Sequence, residues 1–198
     1  MTTFLPHFLP QPPIMVIGAG PWAGAYLLRM RLAAPRAICF GRFARGEPLP
    51  LAAGDYLYIG SAQGRARHAP LLRRINRHLL RCAPGTAQRL YPVWQAFLTE
   101  QKLRLPAPPK RLHWHIDYLL DQPVCDVTQV LLMPSSHPIE HRLTEVLEAV
   151  PGVRPVAPGL GASDHPGHTH LLHWQGTRDG WDRLLADLPS LASSAGAT

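Results

Sequence analysis

Three sets of side chains in this sequence have types and spacings that could do chemistry. The first is Gly18-Ala-Gly20-Pro-Trp-Ala23, a GxGxx[GA] pattern directly after the apolar run Ile14–Ile17. Between a strand and a helix, such a loop lays pyrophosphate on backbone amides at the helix N-terminus. No Asp or Glu stands about 20 residues on to hold a ribose, although Arg42 and Arg45 could serve a 2′-phosphate. No second βαβαβ half follows, so a dinucleotide site is not expected. The second set is His113-Trp-His115-Ile-Asp117. On a strand these three polar residues share one face, a spacing used by metal hydrolases, and His165, His168 and His170 could complete a zinc site. Eleven histidines in 198 residues make such coincidences common, and the chain is too short for the barrel that usually carries this strand. The third set is dispersed. Gly24-Ala25-Tyr26 opens one strand and Tyr58-Ile59-Gly60 ends another. Arg74 and His78 lie four apart on an arginine-rich helix, and Glu140 falls in the first turn of a later helix.

The elements that must position these groups follow from pattern. Residues 24–32 and 37–43 read as strands of a hairpin or meander, and 55–60 as a third strand with Tyr56 and Tyr58 on one face. Residues 70–82 form a helix with Pro70 in the first turn and Leu71, Leu72, Ile75 and Leu79 as its apolar stripe. Its remaining face carries the row Arg73, Arg77, Arg81 and the pair Arg74, His78. A second helix is expected over 91–103 with Val93, Trp94, Phe97 and Leu98 inward. Strands are expected at 113–119, 127–133 and 170–174, a helix from Ser135-Ser-His-Pro138 to Val150, loop over 151–167 and a last helix over 179–188. Strands interleave with helices without a βαβ repeat, which predicts an α+β fold with a small central mixed or antiparallel sheet flanked by helices. The expected organisation is a Pro-rich arm over 1–13, one domain over 14–188 and a flexible tail over 189–198.

Composition narrows the function classes. Twenty Lys and Arg against 13 Asp and Glu give a formal charge of +7 and a pI near 9.9, the electrostatic footprint of a nucleic-acid binder. Only Lys102 and Lys110 are lysines, so the charge is carried by arginine, whose planar fork grips phosphate bidentately. A GC-rich genome would favour arginine too. No apolar run approaches the ~20 residues of a membrane span, and no basic leader precedes the broken apolar N-terminus, so a cytoplasmic protein is expected. Cys39, Cys82 and Cys125 are odd in number and far apart, which excludes a disulfide framework or a CxxC knuckle.

The order of the third set resembles the GIY-YIG nuclease superfamily. The blocks GAYLL, GDYLYIGSA, RRINRH, HWHIDYLL and GLGASDH look like its Uri-type branch, across about residues 24–174. By that resemblance Tyr26 and Tyr58 are the tyrosines of the two motifs, Gly60 the second motif's glycine, Arg74 the helix arginine and His78 the residue one turn on. Glu140 falls on the family's metal-binding glutamate. Two departures stand out. Ala25 replaces an isoleucine, and His165 and Gly167 stand where relatives tend to carry cysteines, while Ser163, Asp164 and His170 remain. Residues 83–110 look like an insertion.

The resemblance implies a Mg²⁺- or Mn²⁺-dependent endonuclease that hydrolyses phosphodiesters in DNA, in repair or nucleic-acid processing. Such a reaction needs an activated water, neutralised phosphoryl oxygens and a stabilised leaving oxygen. Glu140 would hold the metal and Arg74 would clamp the phosphate. A tyrosine of pKa near ~10 needs a nearby cation to act as base at neutral pH. Arg74, the metal and His78 are the expected sources, with His78 passing the proton on. Tyr26 is assigned as the contact to water and Tyr58 as its partner, the reverse remaining open. Arg65, Arg67, Arg73, Arg77 and Arg81 are expected on flanking phosphates, and His113, His115, Asp117, Asp164 and His170 as further lining. Two other readings compete: a non-catalytic nucleic-acid-binding domain, and a hydrolase built on His113, His115 and Asp117.

Overall fold

Alternating apolar side chains on two neighbouring strands set the architecture. In β2 (Gly24–Leu32), Tyr26, Leu28, Met30 and Leu32 face one layer of core, and Ala25 and Leu27 the other. β5 (Gly54–Ala62) pairs antiparallel with it, Gly60 opposite Tyr26 and Tyr58 opposite Leu28. The computed structural model describes residues 11–64, 68–107, 109–161 and 169–193. β6 (Cys125–Pro134) lies antiparallel on the other side of β2, and β1 (Ile14–Val16) runs parallel to β6 at the sheet edge. β8 (Leu171–Trp174) pairs with β5, and β7 (Val153–Pro155) closes the order β1-β6-β2-β5-β8-β7. The fold is α+β around this six-stranded mixed sheet.

Helices cover both faces. On one lie α1 (Pro70–His78), α2 (Tyr91–Glu100) and α3 (His115–Leu120), and on the other α4 (Glu140–Glu148) and α5 (Arg178–Ser193). β2 is therefore buried on both sides. Each of its fully buried Leu and Met side chains contributes ~1.5–3 kcal/mol.

Several expectations are corrected. Residues 37–43 do not join a meander with β2. Among the described residues β3 (Arg36–Ile38) pairs only with β4 (Leu49–Leu51), in a separate two-stranded ribbon. Residues 113–119 are not a strand, because Ile116, Leu119 and Leu120 bury at helical spacing and form α3. In α2 Trp94 and Leu98 are buried, whereas Val93 is 44% exposed. After β1 the chain leads through a loop into β2, a strand, so Gly18 and Gly20 face no helix N-terminus. β7 lies inside the expected loop. Within the expected insertion 83–110, Gln88, Leu90, Trp94, Leu98 and Lys110 are buried, while Ala83–Thr86 are exposed. Gln88 bonds the carbonyl of Leu120 and the N–H of Val127, and Asn76 bonds the carbonyl of Pro106. The end of the expected arm is tied down as well: the carbonyls of Pro12 and Pro13 accept bonds from Gln129 and from the Val130 N–H. All three cysteines are free, and no helix among the described residues is long and apolar enough to cross a membrane.

Candidate active site

At one end of the β2–β5 pair, Tyr26 and Tyr58 project on the α1 side, their ring centroids 6.2 Å apart. The Tyr26 hydroxyl lies over the Cα of Gly60, where any Cβ would collide with it. This close approach is what requires glycine at position 60. Leu71, Leu72 and Ile75 dock α1 on the sheet, and its first turn is tied to the Trp22 carbonyl through the Leu71 N–H. The remaining face presents Arg74 and, one turn on, His78. His78 is fully buried, and its Nε2 lies 2.8 Å from the Tyr26 hydroxyl.

Glu140 approaches from the opposite side of the sheet, in the first turn of α4. Its carboxylate accepts the Ser61 hydroxyl, and its other oxygen lies 3.4 Å from His170 Nδ1. Ser61 sits beside Gly60, in register with Ala25, so Glu140 reaches the same strand end as the tyrosines. Its charge adds to burial, the larger cause, in raising the pKa of both. Tyr26, Tyr58, Arg74, His78, Glu140 and His170 are thus brought together around one strand end.

The electrostatics differ from expectation at the tyrosines. Burial pushes both phenols above their ordinary value, and the Arg74 guanidinium opposes this without overcoming it. Neither tyrosine is a standing phenolate at neutral pH. Burial also lowers His78 to about 4 against the pull of Asp117, so its imidazole is neutral at pH 7, and the nitrogen that meets Tyr26 accepts or donates according to the tautomer.

Other candidates are spent on the fold. Arg77 clasps Asp117 with two bonds of 2.8 and 2.7 Å and also donates to the Arg111 carbonyl. Arg81 donates to the carbonyls of Leu120, Gln122 and Cys125 and pairs with Asp126. These two are not free for flanking phosphates. Swinging Arg77 away would strand a buried carboxylate at ~3–5 kcal/mol, against ~1 kcal/mol or less from an exposed ion pair. Arg73 is exposed and uses one donor, Nε, on the His68 carbonyl. Arg74 lays its guanidinium 4.7 Å from the ring centroid of Trp114, a side chain 39% exposed. Arg65, Arg67, Asp164, His165 and His168 lie outside the described residues.

The His113-x-His115-x-Asp117 set does not share a face. His113 is exposed with its ring edge-on to Trp114, and His115 Nδ1 accepts the Gly161 N–H. Asp117 is buried at the N-terminus of α3, accepting the N–H groups of His113 and Trp114. Among the described residues no three of His, Cys, Asp and Glu converge where a metal could sit. Two participants escape sequence reasoning. Ser61 has no signal beyond its place after Gly60. Lys110, buried and 3.5 Å from Asp117, could have been flagged by rarity, as one of two lysines.

A family profile described as Domain of unknown function DUF123 matches residues 25–190. No curated protein and no solved structure matches the chain.

Proposed function

The chain belongs to the DUF123 family, and we propose that it is a metal-dependent endonuclease hydrolysing phosphodiester bonds in DNA, acting in repair or nucleic-acid processing in the cytoplasm. The observation that carries this reading is the 2.8 Å contact from the Tyr26 hydroxyl to a neutral, buried His78, beside an arginine with no carboxylate partner among the described residues and a carboxylate with hydroxyl company.

Each residue has a part. Tyr26 takes a proton from the attacking water as it hands its own to His78 Nε2, so no phenolate need exist beforehand. Tyr58 packs beside it and keeps bulk water out. Arg74, which pairs with no carboxylate among the described residues, offers its fork to the non-bridging phosphate oxygens. The donor set of Glu140 and Ser61 fits a hard cation, since carboxylate and hydroxyl oxygens are what Mg²⁺ and Mn²⁺ take, with water and substrate phosphate completing the shell. When bound there, such an ion supplies charge neutralisation and a stabilised leaving oxygen.

The test is a panel of double-stranded DNA, single-stranded DNA and RNA, with and without Mg²⁺ or Mn²⁺. Glu140→Gln keeps the shape and removes the charge. Wild-type protein should cleave a DNA substrate only with the ion, and Glu140→Gln should bind that substrate without cleaving it. Wild-type rates from Glu140→Gln would refute the assignment, and binding without cleavage by the wild type would favour a non-catalytic binding domain.

A further inference from the structure

The proton path above ends at His78 Nε2, and a buried group that it does not use stands behind the other ring nitrogen. His78 Nδ1 is the one fully buried side-chain nitrogen or oxygen among the described residues without a hydrogen-bond partner. It faces Asp117 Oδ1 at 3.7 Å, about half an ångström beyond bonding distance. The two oxygens of Asp117 are unequally loaded. Oδ2 accepts Arg77 and the N–H groups of His113 and Trp114. Oδ1 accepts one close bond, from Arg77, with Lys110 Nζ at 3.5 Å. The oxygen with spare capacity is the one that looks at the unpartnered nitrogen.

The carboxylate is held ionised from every side. Burial would raise it, but facing His78, Arg77, Lys110 and the Trp114 N–H outweigh burial and hold it well below the usual carboxylate range. An ionised carboxylate only accepts. Opposite Nδ1 it attracts an N–H and repels a lone pair. A neutral imidazole has one N–H to place, and placing it on Nδ1 leaves Nε2 free to accept from Tyr26.

We infer that Asp117, clamped by Arg77 and Lys110, is the positioning residue of this site: it fixes the Nδ1–H tautomer of His78 and closes on it when the ring takes up the proton of Tyr26. The inference rests on the nuclease reading for its catalytic consequence but not for the tautomer. The same carboxylate explains why the chain buries one of its two lysines.

Nitrogen-15 NMR of the histidine side chains in the intact wild-type protein reads the tautomer without any substrate. A proton on Nδ1 of His78 is expected, and a proton on Nε2 would overturn the inference. Asp117→Asn should then shift the population toward Nε2–H. It should lower the cleavage rate ~10²–10⁴-fold, as loss of a base or its tautomer does, with unchanged DNA affinity. Should that variant fail to fold, the wild-type spectrum still decides. A folded Asp117→Asn protein that cleaves at the wild-type rate would also overturn it. Nδ1–H in a wild-type protein that cleaves nothing would support the tautomer assignment and sink the nuclease reading, so the two failures are separable.

Discussion

The β2–β5 pair carries polar clusters at both ends, and the two are built to opposite rules. At the Leu32–Gly54 end, Arg29 and Arg31 both bond Asp55, at 2.8 and 3.0 Å, and Arg29 also lies 4.6 Å from the ring centroid of Trp181. Carboxylate and aromatic face absorb the guanidiniums. At the Gly24–Ala62 end, the tyrosines, His78 and Glu140 are drawn inward while Arg74 rests on a half-exposed tryptophan, with no carboxylate against it among the described residues. The first cluster holds strands together. The second keeps polar capacity in reserve. A basic pI therefore does not locate a phosphate-binding surface, because most of the arginines traced above are already engaged within the fold.

The widest separation between the two ends should appear in rate. Tyr26→Phe keeps the ring over Gly60 and removes the hydroxyl that meets His78, and should slow cleavage ~10²–10⁴-fold. Arg31→Ala at the far end should leave the rate unchanged. Equal rates for the two variants in a single-turnover assay would erase the distinction.

A second difference should appear in acid stability. His78 has a folded value of about 4, below the ordinary ~6.5. The unfolded chain therefore binds the extra proton first. Stability tied to neutral His78 is complete above pH ~6.5 and falls as pH drops toward 4, by about 3 kcal/mol. Urea unfolding of wild type and His78→Gln at pH 7, 5.5 and 4.5 checks this. The wild type should lose stability more steeply over that span, and parallel curves would show that His78 titrates normally.

The smallest effect concerns the structural end. Arg29→Ala should cost about 1 kcal/mol, the sum of a part-buried ion pair and a cation–π contact, with cleavage intact. A loss of activity without a shift in the urea midpoint would mean that this end also meets substrate.

How much of this was legible depends on the distance over which the information travels. β2, β5 and α1 were readable because alternation and the i, i+4 stripe are local. The meeting of Tyr26, Tyr58, Arg74, His78 and Glu140 could be anticipated only from the order of motifs, since no local pattern brings α4 to the end of β5. The 113–119 segment misleads because His113, His115 and Asp117 alternate with apolar or aromatic residues. The period that governs is Ile116, Leu119, Leu120, with Asp117 capping the start of α3. Arg77 and Arg81 find their partners some 40 residues away, so a sequence reading sees two free cations where the fold has two satisfied ones. β4 and β7 are three residues long, each contains proline, and neither offers a period to read.

The sheet order has a consequence for the chain during its synthesis. β2 sits between β5, which ends at residue 62, and β6, which ends at residue 134. At ~5–20 residues per second, a nascent β2–β5 hairpin waits roughly 4–14 s for its second neighbour to leave the ribosome. Throughout that interval the strand destined for the middle of the protein is an open, apolar edge, the kind of template on which chains pair with one another. β5 waits longer still on its other edge, for β8, which ends at residue 174, so the two strands that carry the tyrosines of the site are both open edges while the rest of the chain is made.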